Sequence, residues 1–377
     1  MIEIRDQEKC CGCSACASIC THNAISMIPD ALGFLYPKVN VDLCTNCGLC
    51  ERVCAFNTDY DVCSNLQVPL AYCARQKNLD EVRQSRSGAI FAALSDYVFQ
   101  KGGVVYGAGY ASHFRVVHKR ATDKKERDEF RGSKYVQSDI NNTFSQIKKD
   151  LKDGIFVLFS GTPCQTAGLA SFLGKKLCDK LLLVDIVCHG TSSPKVWDDY
   201  LSYIERKENS EIVKVNFRNK TLFGWHAHKE TYDFINGKTM WYRYKFYNEI
   251  HMRKSCNVCP FSNTKRPSDI TLGDFWGYEK KVPNMVVDNL GYSLVYCNTG
   301  KGKDIFSAIK DLLIFQEVGI DFTLQPNLSR PTQVHRKRED FENVYSVKGF
   351  EVAAKKFGLI GFRYFIDKIT ILVQRVL

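Results

Sequence analysis

The sequence lacks the segments that direct a chain into or across a membrane. Its first residues, MIEIRDQEKCCGC, contain neither the basic n-region nor the apolar stretch of a signal peptide. No run of about 18 uninterrupted apolar residues is present, so no spanning helix is expected. A Lys/Arg-rich block with interleaved aromatic residues is also missing, which argues against a nucleic-acid partner. These absences predict a globular protein of the reducing cytoplasm.

The composition is that of a folded chain with a moderate excess of positive charge. Hydrophobic residues make up 45% of the 377 positions and charged residues 25%, and the length allows two or three domains. The formal net charge of +11 favours anionic partners such as cofactor phosphates, acidic proteins or membrane headgroups. The final segment, FGLIGFRYFIDKITILVQRVL, is apolar and basic. We expect a helix packed on the core there, with peripheral membrane contact as the alternative.

Of the 17 cysteines, eight form two C-x2-C-x2-C-x3-C runs within the first 54 residues. This spacing wraps a loop around a [4Fe-4S] cluster, and in two-cluster ferredoxins the fourth cysteine of each run binds the other cluster. The predicted ligand sets are Cys10, Cys13, Cys16 and Cys54 for the first cluster, and Cys44, Cys47, Cys50 and Cys20 for the second. Cys11 is interpreted as a non-ligand.

Structural zinc is the alternative for these eight thiols, because zinc also takes four cysteines. Zinc sites use two separated C-x2-C pairs, whereas three cysteines followed by a fourth occur here twice. One departure from bacterial ferredoxins is that Thr21 and Ala55 follow the fourth cysteines, where proline is usual. Since proline is not a ligand, the departure bears on local packing and reduction potential rather than on the presence of clusters.

The rest of the pattern predicts an α+β or α/β architecture: a small ferredoxin-like domain, then a mixed α/β domain. IFVLFSG and LLLVDIVCHG read as strands, each followed by a helix, which predicts a parallel βαβ core. A helical C-terminal segment follows. The predicted divisions are 1–57 for the ferredoxin-like domain, 58–80 for a connector, 81–320 for the second domain (81–154 and 155–320) and 321–377 for the helical segment.

Four further cysteines lie where a ligand site is expected. Cys164 follows a strand in the first turn of a helix, with Thr162 as N-cap and Pro163 at N1. Cys188 ends the next strand, and the carboxyl ends of neighbouring parallel strands share one edge of a sheet. Cys256 and Cys259 form a C-x2-C pair. A third [4Fe-4S] cluster, buried structural thiols, a zinc site and a catalytic thiol at Cys164 all remain open from spacing alone.

The remaining cysteines lack a ligand-like context and are interpreted as ordinary thiols: Cys63, Cys73, Cys178 and Cys297.

Several motifs, taken in order, resemble one known family. SGAIFAALSDYVFQKGG, GSKYVQSD, LFSGTPCQTAGL, VDIVCHG, CNVCPFSN and SDITLGDFWG are similar to segments of the beta subunit of coenzyme F420-reducing hydrogenase and its relatives. The resemblance spans roughly residues 70–320, in addition to the ferredoxin module that many relatives carry.

The resemblance implies a flavoprotein oxidoreductase with FAD and a third [4Fe-4S] cluster. The cluster would be held by Cys164, Cys188, Cys256 and Cys259. The implied FAD contacts are Ser87, Gly88, Gly132, Ser133, Lys134, Tyr135, Gly273 and Asp274. Glycines allow close backbone approach, and Lys134 can meet a phosphate.

The expected function is electron transfer between a one-electron partner protein, the clusters, FAD and a small-molecule substrate. Relatives with this N-terminal module imply a surface-polysaccharide pathway. The alternatives are an electron-transfer subunit without its own substrate and a zinc-bound structural protein. Candidate substrate or proton-handling groups are Tyr135, His189, Trp225 and His226, each of which can equally be a packing residue.

Overall fold

The computed structural model describes residues 1–56, 65–243 and 249–361. The N-terminal module is small: an antiparallel hairpin and two short helices carry the cysteine loops. These elements are β1 (Ile25–Pro29), β2 (Leu35–Val39), α1 (Ala15–Ile19) and α2 (Leu49–Arg52). Residues from the hairpin and the first residues of the chain, including Ile2, pack around Cys16 and Cys50.

An eight-stranded mixed sheet forms the body of the protein. In spatial order it contains β13 (Leu313–Val318), β3 (Asn65–Gln76), β12 (Ser293–Thr299), β11 (Ile270–Asp274), β7 (Leu181–Ile186), β6 (Val157–Gly161), β4 (Val104–Tyr110) and β5 (Val116–Ala121). The four strands β11, β7, β6 and β4 are mutually parallel, and the outer strands on both sides are antiparallel. The predicted α/β class with a parallel βαβ core is confirmed.

Helices cover the sheet, and a second sheet stands beside it. The helices are α3 (Leu79–Gln84), α4 (Ile90–Gln100), α5 (Lys124–Asp128), α6 (Thr143–Lys152), α7 (Pro163–Leu173), α8 (Pro194–Glu208), α9 (Lys220–Phe223), α10 (Tyr278–Lys281), α11 (Gly300–Ile309) and α12 (Arg338–Lys356). The three-stranded antiparallel sheet contains β10 (Thr239–Arg243), β9 (Lys229–Phe234) and β8 (Ile212–Asn216). Short 3-10 helices are Gln7–Lys9, Ser112–Phe114, Lys175–Leu177, Glu249–His251, Lys254–Val258, Lys310–Leu312, Ile320–Thr323 and Pro326–Leu328.

Two strands lie outside the stretches that the sequence predicted as sheet. β3 occupies most of the predicted connector 58–80, and β13 lies just before the predicted helical segment 321–377. β3 pairs with β12 on one side and β13 on the other, with Tyr72 opposite Val295 and Glu317. Its partners are distant in sequence, so no local pattern reports them. The domain limits themselves stay a prediction.

Several predictions fall partly or wholly outside the described residues. Cys63 belongs to residues 57–64, and most of the apolar C-terminal segment belongs to residues 362–377. The described part of the predicted helical segment contains α12, which is interrupted at Gly349 (φ +75°). In the described ranges, no helix has both the length and the apolar character that crossing a membrane requires.

The N-terminal module is packed directly on α7 of the large domain. A Cβ added to Gly168 would lie 2.7 Å from Cys13 Sγ and 2.9 Å from Cys13 Cβ. These distances are shorter than non-bonded carbon and sulfur atoms tolerate, so Gly168 is needed for the close approach of the first cysteine loop. The same helix begins with Pro163 and Cys164. α7 therefore contacts the first cysteine run with its middle and carries a further cysteine at its start.

We expect Gly168→Ala to destabilise the protein by about 1–3 kcal/mol, the usual range for overpacking a tight contact. Gly300→Ala is the matched control, because that helical glycine has no atom within 4 Å of an added Cβ. An ordinary Gly→Ala change in a helix stabilises by up to about 1 kcal/mol. Denaturant unfolding of both variants tests the prediction, and equal stability of the two would contradict the packing argument.

Candidate functional site

The first cavity in the N-terminal module is lined by the thiols of the first predicted cluster set. Cys10, Cys13, Cys16 and Cys54 border it, together with Cys11. Ser14 adopts a left-handed conformation (φ +64°) and α1 then places Cys16. Burial raises the pKa of the Cys10 and Cys16 thiols. The structure thus groups Cys54 with the first run, as the ferredoxin pattern predicts, although the ligand set itself stays a prediction. We call this group site 1.

A second cavity is lined by Cys20, Cys44, Cys47 and Cys50, which we call site 2. Two backbone amides point at its sulfur atoms: Ala24 N–H donates to Cys20 Sγ (3.4 Å) and Ile2 N–H to Cys50 Sγ (3.3 Å). N–H donors of this kind stabilise thiolates and tune the potentials of iron-sulfur clusters. Cys47 is exposed, and the Leu49 backbone amide lowers its pKa. Site 2 is therefore the cysteine site that reaches the surface.

Site 3 is the third group, formed by Cys164, Cys188, Cys256 and Cys259 around one cavity. Cys164 lies in the first turn of α7 after β6, and Cys188 lies beyond the end of β7, which is parallel to β6. The 3-10 helix Lys254–Val258 carries Cys256, and Cys259 follows it. The four thiols come from three separate segments, and the sheet edge brings them together as the βαβ argument expected.

The cysteine-bearing segments of site 3 are fixed by buried polar contacts. Gln165 Oε1 accepts a hydrogen bond from Thr162 N (2.9 Å), which caps α7 as predicted. The guanidinium of Arg266 pairs with the buried Asp185 (3.1 Å) and donates to Phe261 O (2.7 Å), so the segment after Cys259 is tied to β7. Hydrogen bonding from Cys11 lowers the pKa of Cys164 to about 7, although burial acts in the opposite direction.

Cys11 lies between site 1 and site 3. It is buried and lines both cavities. The neighbouring thiols of Cys13 and Cys164, together with burial, raise the pKa of Cys11 well above its ordinary value. The two sites therefore share a wall, although their cysteines are far apart in the sequence. Cys11 remains interpreted as a non-ligand.

A larger cavity of about 450 Å³ opens at the carboxyl ends of β6, β7 and β11. This edge is where open α/β sheets bind ligands. Seven of the eight predicted FAD-contact residues line it: Ser87, Gly132, Ser133, Lys134, Tyr135, Gly273 and Asp274. Gly88 is the exception, because its amide donates to Ser293 Oγ (3.0 Å) and a Cβ there would lie 2.2 Å from Ala74 O. Gly88 serves the packing of β3 and β12.

The cavity adjoins site 3. Cys188, Gly190 and Thr191 line both spaces, as do Thr162 and Gln165. Gly190 has φ +122°, and an added Cβ would collide with Met252 and lie 3.1 Å from Cys256 Cβ. The thin wall between the two spaces therefore depends on glycine.

Charged groups in this cavity were missed at the sequence level. Arg218 Nη1 donates to Asp274 Oδ2 (2.7 Å), and Arg86 Nη2 donates to Trp225 O (2.7 Å). Within the described part of the chain, Arg86 Nε and Nη1 and Arg218 Nε are buried without a hydrogen-bond partner. Arg86 also pairs with Asp274 (3.6 Å), so two buried cations share one carboxylate, and an anionic ligand such as a cofactor phosphate would balance the second charge. Each arginine is an isolated residue in the sequence and belongs to no recognisable motif.

His118 presents a second unpaired atom at the cavity wall. Its Nε2 lies 3.1 Å from Ser160 O and donates to it, which leaves Nδ1 as a buried acceptor without a partner among the described residues. Burial lowers the pKa of His118 to about 4, so the ring is neutral near pH 7. A ligand N–H or O–H group would satisfy Nδ1.

The predicted substrate and proton-handling residues separate into two groups. Tyr135 and His189 line the large cavity. Trp225 is fully buried, stacks on Trp276 and donates from Nε1 to Asp274 Oδ1 (3.2 Å), so it positions that carboxylate. His226 is exposed and pairs with Glu279 (2.8 Å). Lys134 Nζ donates to the backbone carbonyls of Glu129 (2.7 Å) and Arg131 (3.2 Å). The sequence predicted a phosphate contact for this lysine and did not predict these two hydrogen bonds.

The other predicted ordinary thiols have simple settings. Cys73 and Cys297 are buried within strands, and Cys178 Sγ donates to Gly174 O (3.2 Å). Within residues 1–56, 65–243 and 249–361, no group of three His, Cys, Asp or Glu side chains is close enough to hold a single metal ion.

Comparison with known families agrees with this geometry. Residues 9–58 match the family model of the 4Fe-4S dicluster domain, and residues 156–320 match that of the C terminus of the coenzyme F420 hydrogenase/dehydrogenase beta subunit. The chain is therefore an iron-sulfur protein of the electron-transfer class, with an oxidoreductase-related role. Residues 156–320 are similar to the C-terminal domain of the coenzyme F420 hydrogenase/dehydrogenase beta subunit, and residues 9–58 to the 4Fe-4S dicluster domain, which confirms the two modules predicted from the motifs.

Comparison with solved structures returned a chain of the xenon-derivatised F420-reducing [NiFe] hydrogenase complex from Methanosarcina barkeri. The two chains are 18% identical, with a TM-score of 0.46, and the matched region covers 78% of this chain and 91% of that one. No curated protein matches this chain.

Proposed function

We propose that this chain is an iron-sulfur flavoprotein oxidoreductase with three [4Fe-4S] clusters, FAD and a bound small-molecule substrate. The observation that carries the proposal is the continuity of site 1, site 3 and the large cavity. Sites 1 and 3 share Cys11, and site 3 shares Cys188 with the large cavity. When bound, clusters supply one-electron transfer and FAD couples it to two-electron chemistry.

The residues of each site fit the group assigned to it. Four thiols surround each of sites 1, 2 and 3, and backbone amides donate to sulfur atoms in sites 2 and 3, including Gly190 N–H to Cys188 Sγ (3.3 Å). In the large cavity, Arg86 and Arg218 offer buried donors for phosphate oxygens, and the neutral His118 offers an acceptor. Thiol ligands that must stay reduced are consistent with a cytoplasmic protein.

The protein's own contribution would be to bind, orient and exclude water. Trp225 and Arg218 hold Asp274 in one orientation at the cavity wall. The stacked rings of Trp276 and His228 close the side next to Arg218, whose guanidinium lies 5.1 Å from the Trp276 ring centroid. Tyr135 and His189 remain the candidates for contact with the substrate, and the motif resemblance favours a substrate from a surface-polysaccharide pathway.

Anaerobic purification followed by iron, sulfide and flavin analysis tests this proposal. Three cubane clusters give about 12 irons per chain, and two give about 8. We expect about 12 irons and one FAD. A preparation with about 8 irons would remove the third cluster, and a colourless preparation with stoichiometric zinc and no iron or flavin would overturn the proposal.

A second function is supported by the exposed position of site 2. In that alternative the chain is an electron-transfer subunit without its own substrate, docked on a partner redox enzyme at the surface near Cys47. The net charge of +11 suits an acidic partner. Turnover of the purified chain with a small-molecule acceptor alone favours the first function, and turnover only after addition of a redox partner favours the second.

A further inference from the structure

The buried arginine at position 253 joins two cysteine sites that the sequence keeps apart. Its backbone belongs to site 3: Arg253 N–H donates to Thr191 O (3.0 Å), and its carbonyl accepts from Cys256 N (3.0 Å). Its side chain extends into site 1, where Nε donates to Cys10 O (2.8 Å) and Nη2 lies 3.7 Å from Cys10 Sγ. Arg253 also lines the cavity of site 3.

The guanidinium is held in one position by further contacts. Nη1 donates to Gln137 Oε1 (2.9 Å) and Nη2 to Leu35 O (2.9 Å), while the Tyr36 ring lies under the group at 4.2 Å. Gln137 in turn donates from Nε2 to Cys11 O (2.8 Å), so the same network reaches the wall between sites 1 and 3. A Cβ on Gly12 would lie 2.9 Å from Nη1, which makes the cysteine loop itself part of the arginine's pocket.

The charge of Arg253 has no carboxylate to balance it in the part of the chain that the structure describes. Arg253 is 1% exposed, and it forms no ion pair there with Asp or Glu. The other arginines of comparable burial are paired: Arg127 with Asp96 (3.2 Å) and Arg266 with Asp185 (3.1 Å). A buried, permanently charged group is costly unless an anion compensates it. The thiol of Cys10 lies 3.7 Å from Nη2, and Arg253 lines the cavity of site 3, so thiolates of the two sites can supply that anion.

We propose that Arg253 is the shared counter-cation of the iron-sulfur clusters of sites 1 and 3 and raises the reduction potential of both. This inference rests on the proposed function, because it requires clusters at those sites. A reduced cluster carries one more negative charge than the oxidised one, so a fixed positive charge beside it favours reduction. The effect is largest at site 1, where the guanidinium is next to Cys10 Sγ, and smallest at site 2. Arg253 is a positioning and tuning residue that is not itself reduced or oxidised.

The test is EPR-monitored redox titration of Arg253→Met and Arg253→Lys. Both are made in the Cys256→Ser/Cys259→Ser background and in the otherwise unchanged chain. In that background sites 1 and 2 remain, and Arg253→Met should shift one of the two potentials to lower values and leave the other in place. Arg253→Lys keeps the charge but not the planar fork, so its potentials should lie close to those of the parent. In the unchanged chain, the methionine variant should lower two of three potentials.

Lys254→Met is the matched control, since it removes the neighbouring charge from a side chain that is 39% exposed. Its potentials should equal those of the parent. If Arg253→Met does not accumulate as folded protein, Gln137→Glu replaces it. That change places a carboxylate against Nη1 and should shift the same potentials to lower values.

The iron content separates failure of this inference from failure of the proposed function. Variants and parent with full iron but identical potentials overturn the role of Arg253 and leave the clusters in place. A parent chain without iron at sites 1 and 3 overturns the proposed function first. A shift of equal size in all clusters also contradicts the inference, because it would indicate a general structural change.

Discussion

Replacing Cys256 and Cys259 together with serine should lower the iron content from about 12 to about 8 per chain, because one four-iron cluster is lost. The two cysteines line the cavity of site 3, and Arg266 anchors their segment independently by binding Asp185 and Ile186 O of β7. The N-terminal thiols are untouched. The signals of sites 1 and 2 should therefore persist, and transfer of electrons from an external donor to FAD should be lost or greatly slowed.

Cys178→Ser is the matched control for this double change. Its thiol is partly exposed and contacts only Gly174 O among the hydrogen bonds that the structure describes. Iron, sulfide and reduced-state EPR of the control should equal those of the parent. Full iron retention in the double variant would show that site 3 has been assigned to the wrong residues.

The second large effect is expected at Arg86, whose Nε and Nη1 are buried at the cavity wall without a partner in the described ranges. Arg86→Met removes these donors and the 3.6 Å ion pair with Asp274, while Arg218 stays paired with Asp274. One charge-assisted hydrogen bond contributes about 1.5–3 kcal/mol, so losing one bond to the cofactor should weaken FAD binding about 10- to 100-fold. Equilibrium dialysis or fluorescence of the released flavin measures the change.

Arg83→Met is the control, since Arg83 lies on the same stretch of chain but is exposed and pairs with Asp80 at the surface. It should bind FAD like the parent, and both variants should retain their iron. Unchanged flavin affinity in Arg86→Met would mean that the unpaired donors of Arg86 do not face the flavin, and that the anion-binding role of the cavity belongs elsewhere.

Some parts of this molecule could be predicted because their signals are local. The runs from Cys10 and from Cys44 need only short spacing, and the strand ends at Cys164 and Cys188 follow from one βαβ unit. The α/β class followed in the same way, from strands and helices that alternate along the chain.

Other parts depend on contacts that no window of sequence contains. Arg253 contacts Cys10, which lies 243 positions earlier in the sequence. The two strands that pair with β3 are β12 and β13, the last two strands of the large sheet along the chain. The motif around Gly88 predicts a cofactor contact. In the fold, the absence of a side chain at Gly88 allows the backbone to pack closely against Ala74 O. Arg86 and Arg218 carry no motif at all. In each case burial, rather than spacing, decides the role, and burial is a property of the assembled fold.

The position of β3 has a consequence for the order in which this chain folds. β3 is synthesised soon after the cysteine runs, but both strands that flank it, residues 293–299 and 313–318, emerge much later. Until then the backbone N–H and C=O groups of β3 lack their strand partners, and such long-range pairings form slowly. Helix α7, which contacts Cys13, also comes after the cysteine runs in the sequence. The large sheet can therefore close only long after the cysteine runs have been synthesised.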